Sequence, residues 1–378
     1  MTDVPSGRRI GAGFIGGGFM AAVHSRAARA AGARLVAVAS SSVERSREAA
    51  ARLGIENGVD SAEGIAASPE ISVVHVCTPN AQHVADTMTA LGHRKHVICE
   101  KPLATTVPDA IAVANAASAA GVVGAVPFIY RYHPTVRHAR ALISAGEIGT
   151  VLTVDASYLQ DWLLGSGETN WRVDAASGGQ SRAFADIGSH LCDLIEFVTG
   201  SRIESLSART RTVYDERGGQ PVANEDIAAV IVELDSGALG TLLISQMAPG
   251  RKNALVFEIH GSQQSIRFAQ ERPEELWVGT RDSSRTLLRS PDALGDRELS
   301  LVPAGHPMGY QDAFNAFVSD AYAAIAGESP DGLPTFEDGV RAAHITAAVL
   351  DSARSGEWVT VAPSPPTDKQ DKTPRSTS

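Results

Sequence analysis

Residues Phe14 to Ala21 read F-I-G-G-G-F-M-A, which is two bulky apolar residues, a glycine run, and the start of an alanine-rich stretch without breakers to Ala31. Strand, glycine turn and helix in that order is the context in which such a glycine motif carries meaning. Two G-x-G-x-x-[GA] registers overlap here: Gly11, Gly13, Gly16 and Gly16, Gly18, Ala21. The first is preceded by Pro5, Gly7, Arg8 and Arg9, a poor strand, whereas the second follows Phe14-Ile15 and opens the helix-compatible run. In the second register Gly16 makes the turn, Gly18 lets backbone approach a pyrophosphate, and Ala21 keeps helix and strand close. The amides near Phe19 and Met20 then face the phosphates from a helix N-terminus. Because 35 glycines make chance matches common, the motif counts only in this context.

The context is a strand–helix alternation through residue 126. Strands are predicted at Arg9–Ile15, Arg34–Ala39, Ile71–Val76, His96–Cys99 and Val122–Val126, with helices at Phe19–Ala31, Val43–Leu53, Ala81–Leu91 and Pro108–Ala120. Such alternation builds a doubly wound parallel sheet, a Rossmann domain assigned to residues 1–127. From Thr150 the rhythm changes. Val151–Tyr158, Ile203–Thr212, Ile227–Leu234, Leu239–Gln246, Leu255–His260 and Ser265–Phe268 read as strands, and Asp235-Ser236-Gly237 and Gly261-Ser262 as hairpin turns. Residues 128–361 are therefore expected to form an α/β domain with a large, mostly antiparallel open sheet. A helix at Phe184–Val198 interrupts it, and two more are predicted at Tyr310–Ala326 and Phe336–Ser355. Residues 362–378, rich in Pro, Ser and Thr, read as a disordered tail.

Charge and composition exclude several classes. Lysine and arginine total 33 against 43 aspartates and glutamates, a net charge of -10 with no long basic run. That balance opposes nucleic-acid binding and a polybasic membrane anchor. No stretch approaches the roughly 18 apolar residues of a membrane span. Met1–Ile10 lacks an apolar leader core, so the expected location is cytoplasmic. Cys77, Cys99 and Cys192 are widely spaced and read as reduced, buried thiols, and no metal site is expected. His93 and His96 have metal-like spacing but span a helix end and a strand start.

The second predicted strand ends in Ser40-Ser41-Ser42, with Arg45 nearby and no acid to take an adenosine ribose. Small hydroxyl residues beside an arginine lean toward NADP over NAD, and the competing reading leaves Arg45 as a solvated helix residue. Lys101, in Glu100-Lys101-Pro102, follows the strand His96–Cys99. Carboxyl ends of parallel strands face the ligand crevice, where a lysine can hold a substrate oxygen and stabilise its negative charge. Asp186 and His190 share one face of the predicted helix, and a histidine suits proton removal from an alcohol. The alternatives are a helix N-cap for Asp186 and a core histidine for His190. Tyr158-Leu-Gln-Asp-Trp162 with Trp171-Arg172 gathers aromatics and hydrogen-bonding groups, which suits the C–H faces and hydroxyl rim of a sugar, or else packs a domain junction.

Five segments in order carry a resemblance: Phe14 to His24, C-T-P-N-A-Q-H (Cys77 to His83), C-E-K-P-L-A (Cys99 to Ala104), Y-R-Y-H-P (Tyr130 to Pro134) and D-I-G-S-H-L-C-D (Asp186 to Asp193). From about Arg9 to Val361 the chain resembles the Gfo/Idh/MocA oxidoreductases, which act largely on sugars and cyclitols. The resemblance implies that Lys101, Asp186 and His190 form the catalytic set. It also implies that Thr78, Pro79, Asn80, His83 and Glu100 line the cofactor with Lys101, alongside Gly16, Gly18, Phe19, Met20, Ser40, Ser41 and Arg45. Y-L-Q-D-W with Trp171-Arg172 is most similar to the levoglucosan dehydrogenase-like sugar dehydrogenases, making Tyr130, Gln160, Trp162 and Arg172 substrate candidates beside Lys101, Asp186 and His190. Ile129 departs from the asparagine often found before Tyr-Arg. The serine run is closer to NADPH-using anhydrofructose reductases, so the cofactor stays NAD(P) with NADP favoured.

The expected protein is an NAD(P)-dependent dehydrogenase of a sugar, anhydrosugar or cyclitol, homodimeric or homotetrameric through its open sheet. Two alternatives stay open: an NAD-dependent glycoside hydrolase working by transient C3 oxidation, and a non-enzymatic NAD(P)-binding sensor.

Overall fold

The computed structural model describes residues 9–291 and 299–363, so the expected tail lies, from residue 364 on, outside the described residues. The first half alternates β1 (Gly11–Ile15), α1 (Phe19–Ala30), β2 (Arg34–Ala39), α2 (Val43–Leu53), β3 (Asn57–Val59), α3 (Ala62–Ala66), β4 (Val73–Val76), α4 (His83–Gly92), β5 (His96–Cys99), α5 (Val107–Ala120) and β6 (Gly124–Ala125). These strands make one six-stranded parallel sheet in the order β3-β2-β1-β4-β5-β6. The order reverses between β1 and β4, and at such a switch point the strand ends splay to leave a crevice. β1, β4 and β5 are almost wholly buried because helices cover both faces, which is why they read as continuous apolar runs.

The chain then passes through α6 (Pro134–Ser144), β7 (Val151–Leu159), α7 (Ala175–Gly178) and α8 (Ser189–Thr199). There follow β8 (Ile203–Arg211), the small hairpin β9 (Glu216–Arg217) and β10 (Gln220–Pro221), β11 (Ile227–Leu234), β12 (Leu239–Ser245), β13 (Ala254–Gly261), β14 (Gln264–Ala269), β15 (Glu275–Thr280) and β16 (Ser284–Leu288). The end is α9 (Tyr310–Ile325), α10 (Phe336–Ser355) and β17 (Val359–Thr360). The second sheet has nine strands, ordered β16-β15-β14-β13-β7-β12-β11-β8-β17. All its pairings are antiparallel except β7 with β12, where Leu159 lies opposite Ser245. Alternation is clean on β11 and β12: Ala228, Val230 and Val232 face the core, while Ile231, Leu239 and Leu243 face outward.

α9 packs along α1, and α10 packs on both α5 and β8, so the last helices bind the two layers together. A backbone bridge from Ala125 to Thr335 adds to this seam.

Candidate active site

The glycine turn has the expected geometry. Gly16 sits at φ +101°, and a Cβ there would lie 2.6 Å from the Cys77 carbonyl oxygen, so only glycine fits. At Gly18 an added Cβ meets nothing within 4 Å, which leaves the outer side of the turn open. Gly18 is the N-cap of α1, with no side-chain cap and no acid in the first turn, so the helix's free amides are left for an anion. Arg52 holds the turn from outside by donating to the Gly17 carbonyl. These features fit a dinucleotide's pyrophosphate.

A cleft of about 850 Å³ opens from this turn, and its walls carry Phe19, Met20, Ser40, Ser41, Thr78, Pro79, Asn80 and His83. Arg45 is exposed at its rim and donates to the Ser41 hydroxyl at 3.1 Å. Asn80 donates to the Gly178 carbonyl at 2.9 Å, tying the first layer to the end of α7. His83 lies between the carbonyls of Pro102 and Thr78, at 2.7 and 2.9 Å; burial lowers its proton affinity, so the neutral ring donates to one of them.

At the inner end of the cleft are Glu100, Lys101, Gln160, Trp162, Asn170, Trp171, Arg172 and Asp186. The Lys101 ammonium donates to the Asp186 carboxylate and to the Asp186 carbonyl, both at 2.7 Å. Arg172 reaches the same carboxylate oxygen at 3.2 Å, and Gln246 donates to the other at 3.0 Å. Burial alone would raise the Asp186 carboxyl, but Lys101 and Arg172 override it and hold the group below the usual carboxylate range. Asp186 is thus no N-cap, because its side-chain partners are two cations and an amide.

The segment carrying Asp186 differs from the expected α-helix. Phe184–Gly188 is a π-helical turn, and regular α-helix starts only at Ser189. Asp186 and His190 act on each other's charge but share no hydrogen bond among the described contacts. His190 packs edge-on against Phe128 and Tyr130, with ring centroids at 5.6 and 5.1 Å, and its buried Nδ1 has no hydrogen-bond partner. The ring does not line the cleft, but only Nδ1 is sealed off, and the residue is 8% exposed. Burial, together with the Lys101 charge, pushes its pKa down to about 3, so the imidazole is neutral near neutral pH.

Tyr130, Gln160 and Trp162 join one network centred on Asn253. The Tyr130 and Tyr158 hydroxyls are 2.6 Å apart; Tyr158 and Gln160 donate to the Asn253 side-chain oxygen, Trp162 donates to Gln160, and the Asn253 amide donates to Tyr130. Tyr130 itself lies below the cleft surface, almost fully buried. Among the described residues no group of His, Cys, Asp and Glu is arranged to hold a metal, and no helix is long and apolar enough to cross a membrane. Cys99 and Cys192 are buried and Cys77 half-buried at the cleft, all three as free thiols.

Residues 10–128 match the oxidoreductase family with an NAD-binding Rossmann fold, and residues 136–267 match the GFO/IDH/MocA C-terminal domain. The chain belongs to the Gfo/Idh/MocA oxidoreductase family. Levoglucosan dehydrogenase of Pseudarthrobacter phenanthrenivorans is 33% identical over 94% of this chain and 98% of its own. A solved levoglucosan dehydrogenase in complex with NADH and levoglucosan superposes with a TM-score of 0.88 at 33% identity, covering 94% of this chain and 100% of that one. An oxidoreductase domain protein from Kribbella flavida superposes with a TM-score of 0.88 at 36% identity, with the same coverage of the two chains.

In this Gfo/Idh/MocA chain three polar residues escape sequence reasoning: Asn170 on the cleft wall, and Asn253 and Gln246 behind it. Asn253 directly precedes β13, Gln246 directly follows β12, and Asn170 sits in an irregular loop. The first two flank Gln160 because β13 and β12 both pair with β7. Their signal was position at a strand end, which is readable only once the strand order is known.

Proposed function

We propose that this protein is an NAD(P)-dependent dehydrogenase that interconverts a ring hydroxyl and a ketone on an uncharged sugar, anhydrosugar or cyclitol. The observation that carries the reading is the Lys101 ammonium locked onto Asp186 beside Arg172, at the inner end of the cleft that the Gly16 turn opens. Gly16, Gly18, Phe19 and Met20 would hold the pyrophosphate, and Thr78, Pro79, Asn80, His83 and Glu100 the nicotinamide half. The chemistry NAD(P) supplies when bound is acceptance or return of the carbinol hydride.

The chain's residues divide the remaining work. Lys101 holds the reacting oxygen and offsets its developing negative charge. Asp186, kept ionised, fixes the lysine and Arg172 instead of orienting His190. Of the three proposed catalytic groups, His190 is the neutral base with a lone pair, and its Nε2, the nitrogen that is not sealed off, takes the hydroxyl proton in oxidation. Gln160 and Trp162, braced by Asn253, meet the sugar's hydroxyls and C–H face, and Tyr130 supports them from below the surface. The cations on the cleft wall, Lys101 and Arg172, stand with the anions Asp86, Glu100 and Asp186, which gives no surplus charge for a sugar phosphate. Ser41 and Arg45 favour NADP. The outward sheet face carrying Ile231, Leu239 and Leu243 supports a homo-oligomer.

The test is a panel of monosaccharides, levoglucosan and inositols against NAD and NADP, followed by absorbance of the reduced cofactor. Turnover on a neutral sugar is expected. Cleavage of a glycoside with no net reduced cofactor points to the hydrolase reading, and tight cofactor binding without turnover to a sensor.

A further inference from the structure

Behind the cleft, on the side away from the sugar, lies a row of buried polar groups that the proposed reaction does not use. His24 of α1 and His75 of β4 are each 0% exposed, and Tyr322 of α9 is 5% exposed. The Tyr322 hydroxyl is 2.8 Å from His75 Nε2, His75 Nδ1 is 2.9 Å from His24 Nδ1, and His24 Nε2 is 3.0 Å from Glu100 Oε1. The other oxygen of Glu100 accepts the backbone amide of Lys101 at 3.2 Å. The row therefore runs unbroken from a helix near the chain's end, over one face of the parallel sheet, to the residue that holds Asp186.

The proton count constrains it. Glu100 accepts the Lys101 amide, and although burial opposes ionisation, the His24 bond and the Lys101 charge keep its carboxyl below the usual range. His24 must therefore carry a proton on Nε2. His75 is fully buried, its ring stacked on Phe14 at 4.9 Å, and burial holds it neutral. It donates through one nitrogen and accepts through the other. With His24 neutral, Tyr322 donates to His75 and His75 to His24; with His24 charged, both bonds reverse. In either sense every ring nitrogen of the two histidines has a partner and Nε2 of His24 stays committed to Glu100. Burial pushes the Tyr322 phenol above its ordinary range, so the far end does not release a proton. The row is an anchor, not a conduit.

We propose that Tyr322, His75 and His24 are positioning residues for Lys101: a buried hydrogen-bond chain that fixes the Glu100 carboxylate and, through it, the backbone from which the Lys101 ammonium reaches the substrate. The proposal rests on the dehydrogenase reading. It also makes the docking of α9 on α1 a condition for correct alignment of a lysine in the other layer. A direct tie between these helices, from the Gln311 amide to the Val23 carbonyl at 3.2 Å, does not involve the tyrosine hydroxyl and is untouched by its removal.

The experiment uses the full chain, Tyr322→Phe, and His75→Phe, which keeps the stack on Phe14. With levoglucosan as sugar, Tyr322→Phe is expected to lower kcat roughly three- to tenfold, the scale of one lost buried hydrogen bond. His75→Phe, which loses two, falls further. NADH and NADPH dissociation constants, from fluorescence, stay within about twofold, because the phosphate turn is untouched. Full kcat in Tyr322→Phe, or cofactor affinity falling in step with kcat, overturns the proposal. Nitrogen-15 NMR of the histidines in the wild-type chain needs no turnover, so it separates failure here from failure of the dehydrogenase reading. It should show His24 protonated on Nε2, and a bare Nε2 there refutes the chain.

Discussion

The ammonium of Lys101 donates to both the carboxylate and the carbonyl oxygen of Asp186, at 2.7 Å each, across 85 residues of sequence. The carbonyl at that spot is set by the π-helical turn Phe184–Gly188, so backbone shape and side-chain charge aim the lysine together. Lys101→Ala is expected to cut kcat by roughly 10²- to 10³-fold, as loss of a donor at a developing oxyanion does. Cofactor affinity should persist, since the glycine turn and α1 hold the phosphates. Steady-state kinetics alongside NADH titration measure both, and near-normal turnover would reject the lysine's assigned role.

Arg45 is exposed and donates to Ser41 at the ribose end of the cleft, with no carboxylate at the end of β2 to repel a phosphate. Arg45→Ala should raise the KM for NADP about tenfold or more, the worth of one charge-assisted bond, and leave the KM for NAD unchanged. Equal effects on both cofactors would return Arg45 to the role of a solvated helix residue.

The parallel layer is readable because its strands are short apolar runs and its glycine turn has one workable register. What escapes is polar or short: Asn57–Val59 pairs as a strand without any apolar alternation, and Ser284–Leu288 is an edge strand with mostly exposed side chains. The site is readable where chemistry is local, as at Lys101 and at the loop holding Trp162 and Arg172. It fails where the sheet decides. Both hairpin turns hold, joining β11 to β12 and β13 to β14, but no local signal shows that β12 also pairs in parallel with β7, which brings Gln246 onto Asp186. Likewise, the four-residue spacing of Asp186 and His190 assumes a regular α-helix, and the π turn at Phe184–Gly188 has no signal in the sequence.

Asn253 is the hub of the proposed sugar wall, bonded to Tyr130, Tyr158 and Gln160. Asn253→Ala leaves those groups short of partners without touching Lys101 or the phosphate turn. The KM for the sugar should rise about tenfold, with kcat falling less and cofactor binding intact. A change confined to thermal stability would assign Asn253 to packing alone.

Ile231, Leu239 and Leu243 are 49, 52 and 44% exposed on adjacent strands of the outer sheet face. Apolar side chains clustered on an open sheet are commonly covered by another surface. Ile231→Lys with Leu243→Glu should shift the mass measured by light scattering from an oligomer to a 39.5 kDa monomer. A wild-type chain already monomeric at micromolar concentration contradicts the oligomer.

His133 tests the acid limit of the fold. It is 2% exposed, lies between Tyr130 and Phe268, and its Nε2 has no partner. Burial lowers its pKa from 6.5 to about 4. A depressed folded-state value means the unfolded chain binds this proton first. The associated stability is therefore whole above pH 6.5, declines as pH falls, and is gone below about 4. That displacement corresponds to roughly 3 kcal/mol for this one group. His133→Phe should flatten the fall in Tm across the same window while leaving Tm near pH 8 within a few degrees of wild type. Parallel Tm–pH curves for the two proteins would show that other groups govern acid unfolding.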